Sequence, residues 1–153
     1  MQLINHPLCK ATIIVDYAHT PDALKNAILA VKKMNNNGKI YTLFGCGGER
    51  DHEKRSLMGE VAFKNSDFTI ITDDNPRTED PSLIRKSIIN KNSLAIEIPG
   101  RDTAIKKAIS LLKDDDILII AGKGHEQTQT IGTETLPFDD VSVVKNTLDS
   151  LNL

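Results

Sequence analysis

Four short stretches gather most of the side chains able to do chemistry: VDYAHTPDAL (15–24), FGCGGERDHEKR (44–55), ITDDNPRTEDP (71–81) and AGKGHEQTQ (121–129). In the third, an apolar run surfaces into Asp74, Asn75, Pro76 and Arg77. A plain turn needs Asn or Pro. It does not need an arginine held beside them, and a guanidinium offers a fork that matches a carboxylate or a phosphate. Arg50, Lys54 and Arg55 add further positive charge in the second stretch. Lys54 and Arg55 fit a ligand role or pairing with Glu49, Asp51 and Glu53 equally well. Arg77, fixed directly after a proline, favours a ligand.

The glycines of GCGGERD (45–51) and AGKGHE (121–126) allow a backbone to approach a phosphate, or make tight strand-to-helix turns. Neither is a dinucleotide fingerprint, because Arg50 and Gln127 stand where a third glycine belongs. The P-loop pattern G-x-x-x-x-G-K-[ST] is found nowhere in the chain. His19, His52, His125 and Cys46 lack metal-ligand spacing, so no metal site is expected. Cys46 reads as a small buried loop residue before a nucleophile. Asp16 at a strand end suits a ribose hydroxyl or an Asx-type turn.

What must position these groups is an alternation of strands and helices. Strands are expected over 11–18, 39–45, 68–74, 94–100 and 116–124. Helices are expected after Thr20 and Pro21, over 54–66, over 80–93 with Asp80 as N-cap, over 101–116 and over 139–151. The NNNG run (35–38) should end the first helix. The segment 127–138 reads as a short hairpin or edge strand, and the start of the chain, with His6, reads as frayed. Continuously apolar strands alternating with helices imply an α/β domain, with a mainly parallel sheet of about six strands, one of them antiparallel at the edge, covered on both faces. In such sheets ligands bind beyond the carboxyl ends of the strands. All four chemical stretches fall there, while the opposite connections are bland.

The 153 residues make one domain of 1–153 with no internal linker or repeat. A net charge of −2 leaves no electrostatic footprint for nucleic acid or an anionic membrane, so neither is an expected partner. There is no apolar run of about 18 residues to span a bilayer and no signal-peptide pattern. Two cysteines are too few for a disulfide scaffold.

Taken together and in order, the four motifs resemble the C-terminal domain of the Mur ligases, over nearly the whole chain. The resemblance implies a Rossmann-like three-layer domain of a bacterial cytoplasmic, monomeric ligase. Its N-terminal and central P-loop domains are absent here. It implies that the full enzyme uses ATP and Mg2+ to activate a carboxylate of UDP-MurNAc-L-Ala-D-Glu as an acyl phosphate, which a diamino acid then attacks to form an amide. This domain would bind the diamino acid and be inactive alone, with no catalytic residue of its own. Members that use meso-diaminopimelate carry DNPR, as at Asp74 to Arg77. The resemblance therefore assigns Arg50, Asp74, Asn75, Pro76, Arg77, Gly122 and Glu126 to that substrate. It places Asp16, His19, Lys54 and Arg55 near ATP. Val141 in FDDVSVV and Gln127 in GHEQTQ depart from the family pattern. A lysine-adding or folylpolyglutamate-type ligase domain, or a non-catalytic module binding a nucleotide or amino acid, are the alternatives; DNPR argues against the first two.

Overall fold

The computed structural model describes residues 1–34 and 37–151. Asn35 and Asn36, in the run expected to end the first helix, lie outside the described residues. Six strands form one sheet in the order β1-β2-β6-β3-β4-β5. They are β1 (Gln2–His6), β2 (Cys9–Asp16), β3 (Ile40–Phe44), β4 (Phe68–Ile71), β5 (Ile96–Glu97) and β6 (Ile117–Ala121). Every pairing is parallel except β1 with β2. Helices α1 (Pro21–Met34), α2 (Glu53–Asn65) and α3 (Pro81–Ile89) cover one face, and α4 (Arg101–Leu111) and α5 (Asp140–Ser150) the other.

The central strands are buried from both sides, which is why they are almost continuously apolar rather than alternating, with Thr42 and Thr69 buried among the rest. Ile14, Phe44, Ile71 and Ile119 pack under α1–α3, whereas Ile13, Leu43, Ile70, Leu118 and Ile120 pack under α4 and α5. Helix starts follow capping chemistry. Thr20 Oγ1 accepts from the N–H of Ala23 at 3.2 Å. Asp80 accepts from Ser82 N–H at 2.8 Å with Pro81 just inside the helix.

The segment 127–138 takes the first of its two expected forms: β7 (Thr128–Ile131) and β8 (Glu134–Pro137) make an antiparallel hairpin, apart from the main sheet. Other boundaries differ from expectation. The antiparallel edge strand is β1, from the segment read as frayed. It buries only Ile4, so its pattern is too short to stand out in sequence. Helix α3 stops at Ile89, because Asn90 turns left-handed (φ 43°) and its N–H caps the Lys86 carbonyl at 2.9 Å. Both α4 and β5 are also shorter than expected; Leu112 is already extended, and Leu94 is exposed.

Candidate functional site

The carboxyl ends of β2, β3, β4 and β6 open onto a cavity of about 320 Å³. Arg50, Asp74, Asn75, Arg77, Gly122 and Glu126 line it, joined on one side by His19 and Lys54. The fold thus brings six of the seven residues assigned to the diamino acid around one space. Pro76 lies behind them, buried in the loop.

The two arginine-bearing loops are docked back to back. Gly48 N–H donates to the Asn75 carbonyl at 2.8 Å. A Cβ at Gly48 would lie 1.9 Å from the Pro76 carbonyl oxygen, so any larger residue would wedge the loops apart. Arg77 Nη1 donates to the Gly48 carbonyl at 2.9 Å and to that of Asn75 at 3.4 Å. Its Nε and Nη2 make no hydrogen bond among the described residues, and the side chain of Arg50 is likewise unpaired there. Arg77 holds a left-handed backbone (φ 53°), a strained state for a residue with a side chain. The hairpin stabilises it: Arg77 N–H donates to Thr130 O at 3.1 Å, and Arg77 O accepts from Gly132 N–H at 2.6 Å.

A second tie joins α2 to the same loop. Arg55 is 2% exposed, and its Nη1 and Nη2 each donate to Glu79 at 3.0 Å. Its Nη2 also reaches the Gly47 carbonyl at 3.0 Å. The hydrogen bonds from Arg55, helped by the Glu49 N–H, hold the Glu79 carboxyl down to about 2.

Lys123 is the residue that sequence reading missed. It is fully buried, and its Nζ donates to Asn75 Oδ1 (3.1 Å), Glu126 Oε2 (3.3 Å) and the Thr128 carbonyl (2.7 Å). Its signal was a lysine set between two glycines at the end of a buried strand. Asp74 is also buried. Burial pushes its carboxyl up, against the pull of Arg101 and Lys123. Gly122 (φ 110°) leaves room for that carboxylate, since a Cβ there would sit 2.9 Å from Asp74 Oδ2. Arg101, fully buried, forks onto Asp140 at 2.7 and 2.8 Å and ties the β4 and β6 ends together through the Asp73 and Ala121 carbonyls.

The residues placed near ATP divide. Asp16 Oδ1 accepts from Ala18 N–H at 2.8 Å, the Asx-type turn. Lys54 Nζ donates to the His19 carbonyl at 3.0 Å. Arg55 faces Glu79. His19 packs edge-on to Tyr17, whose ring also stacks with His125. These groups do not form a triphosphate cradle. Among the described residues no three His, Cys, Asp or Glu side chains gather to hold a metal ion. Cys46 is buried, with its Sγ 3.8 Å from Met58 Sδ, and burial pushes its thiol up to about 12. Of the two departures from the family pattern, Val141 packs half-buried against the core under α4 and α5, and Gln127 contributes its backbone carbonyl, which accepts from Phe138 N–H at 2.9 Å at the hairpin base.

The family model described as "Mur ligase, glutamate ligase domain" matches residues 1–124. The chain belongs to the Mur ligase family. A UDP-N-acetylmuramoyl-L-alanyl-D-glutamate--2,6-diaminopimelate ligase of Rickettsia montanensis is 56% identical over 136 residues, 87% of this chain and 28% of that protein. The enzyme of the same name from Agrobacterium fabrum is 47% identical over 151 residues, 99% of this chain and 31% of its own. A solved structure of a ligase with that name superposes on all of this chain with a TM-score of 0.93 at 39% identity, and this chain covers 32% of it. The chain thus spans less than a third of the length of these three relatives. A bifunctional folylpolyglutamate synthase/dihydrofolate synthase from Yersinia pestis, at 15% identity and a TM-score of 0.62, shares the fold alone.

Proposed function

We propose that this chain is the amino-acid-binding domain of a ligase that adds meso-diaminopimelate to UDP-MurNAc-L-Ala-D-Glu in the bacterial cytoplasm. The observation that carries the reading is the cavity lined both by the Arg50 guanidinium and the open Nε and Nη2 of Arg77 and by the carboxyl groups of Asp74 and Glu126. A diamino dicarboxylate presents the matching charges: carboxylates for the arginines, ammonium groups for the acids. Lysine lacks the distal carboxylate. With lysine bound, Arg77 would face a polar gap, and a site built for a hydrogen-bonding group rejects the analogue lacking it by roughly 10⁴-fold.

In this reading the domain's work is binding and orientation. Arg77 holds the distal carboxylate through Nε and Nη2, while its Nη1 stays on the loop carbonyls. Glu126 receives an ammonium. The other end of the diamino acid is thereby aimed outward, at the acyl group it attacks. ATP and Mg2+ would supply that activated acyl group from domains outside this chain. The isolated domain is accordingly a monomeric binding unit without ligase activity.

The test is calorimetric titration of meso-diaminopimelate and of L-lysine into this domain, repeated on Arg77→Ala. Selective binding of meso-diaminopimelate that the substitution abolishes is expected. Equal affinity for lysine would overturn the assignment.

A further inference from the structure

We infer that Lys123 is a positioning residue that sets the polarity of the diamino-acid cavity, a step that rests on the reading above and deepens it. Its Nζ has three oxygens within hydrogen-bond distance, Asn75 Oδ1, Glu126 Oε2 and Thr128 O, which match the three N–H bonds of an ammonium, and Asp74 Oδ1 lies further off at 3.9 Å. The consequence falls on Asn75. Its Oδ1 accepts from Lys123 and, at 3.0 Å, from Thr130 N–H, while its Nδ2 donates to Glu126 Oε2 at 3.3 Å. The reverse amide orientation would set an NH2 against two donors and an oxygen against a carboxylate. The ammonium, together with the Thr130 N–H and the Glu126 carboxylate, therefore fixes which end of Asn75 can meet a ligand.

The second N–H of Asn75 Nδ2 has no partner among the described residues, and Asn75 lines the cavity. So Asn75 is a donor towards the substrate and contacts a carboxylate, not an ammonium. Glu126 is fixed in the complementary sense. Its Oε2 is taken by Lys123 and Asn75, and its Oε1 is left as the acceptor for an ammonium. The buried lysine, touching both side chains at once, thus couples the donor on Asn75 to the acceptor on Glu126. A supporting group of this kind acts by restricting the residues that touch the ligand.

The test uses side-chain NMR on the isotopically labelled, ligand-free domain, followed by calorimetry. In the wild type the Lys123 ammonium should be protected from exchange, and the Asn75 amide protons should show nuclear Overhauser contacts to the Glu126 methylenes. In Lys123→Met the backbone spectrum away from the site should persist. The Asn75–Glu126 contact should fade as both side chains average, and meso-diaminopimelate affinity should fall roughly 10- to 100-fold, the range for charge-assisted hydrogen bonds. An unchanged Asn75–Glu126 contact in Lys123→Met, or a freely exchanging Lys123 ammonium in the wild type, would overturn the role assigned to Lys123; the second reading needs no variant to fold. If the wild type bound no meso-diaminopimelate while the NMR contacts behaved as stated, the functional reading would fall and the orienting role would stand.

Discussion

Replacing Glu79 with alanine should destabilise this domain far more than replacing its partner Arg55 with methionine. The asymmetry follows from burial. Arg55 is 2% exposed on its side chain and Glu79 25%. Two of the three guanidinium hydrogen bonds go to Glu79, and the Arg55 Nε already has no partner. Glu79→Ala therefore strands a buried cation with a single carbonyl. Breaking a buried pair from one side costs about 3–5 kcal/mol, and water at the Glu79 side argues for about 3. For a domain of this size each kcal/mol is about 2–4 °C in melting temperature, so the loss should be about 6–12 °C. Arg55→Met removes the buried charge, and leaves a carboxylate that water can reach. Its cost should be about 1 kcal/mol, or about 2–4 °C. Thermal melts followed by circular dichroism at neutral pH measure both. The pH dependence adds a check. The Glu79 carboxyl is lowered from 4.5 to about 2 by Arg55. A lowered folded-state value means stability that is fully present above pH 4.5 and lost as pH falls through about 2. The gap between wild type and Glu79→Ala should narrow across that window. Equal losses in the two variants, or a gap that widens in acid, would refute the reasoning.

Arg77→Lys keeps the charge but loses the fork and the carbonyl contacts, so meso-diaminopimelate affinity should drop by roughly 10- to 100-fold in calorimetry, with the fold retained. Gly48→Ala drives a Cβ into the Pro76 carbonyl; the expected loss is about 1–3 kcal/mol in denaturant melts, together with weakened ligand binding as the two arginine loops separate. A thiol reagent at pH 8 should modify Cys9 and spare Cys46 until the chain unfolds, because the Cys46 thiol is pushed up to about 12; fast labelling of both would contradict its burial. Asp139→Ala removes the cap that accepts from Val141 N–H and Ser142 Oγ at the start of α5, and should cost about 1 kcal/mol in the same melts.

Much of this architecture was legible because burial from two sides writes itself into sequence. Strands such as ILIIA can lie only between helix layers, and Thr20, Asp80 and Pro81 mark helix starts by local chemistry. The site was legible as a set of loop motifs at one sheet edge. What sequence could not give was which charged groups face each other. Arg55 and Arg77 look alike on paper. Only the packing of α2 against the loop after β4 gives Glu79 to the first, while the free nitrogens of the second are left to the cavity. Lys123 was hidden for the same reason: its partners come from Asn75, 48 positions away, and from the first residue of the hairpin. β1 escaped notice because pairing to β2, not its own apolar pattern, makes it a strand.

The place of β6 in the sheet has a consequence for how the chain is made. This strand lies between β2 and β3, although 72 residues separate the end of β3 from its first residue, Ile117. As the polypeptide leaves the ribosome, β2 and β3 are both present long before the strand that joins them. Until residue 121 has emerged, neither has its central neighbour, and each offers an apolar, unpaired edge. Assembly must wait for the last third of the chain, a late closure that favours slow folding and exposure to self-association. Chains truncated before Ile117 should therefore aggregate rather than fold in part, whereas chains released after α5 can complete the sheet at once.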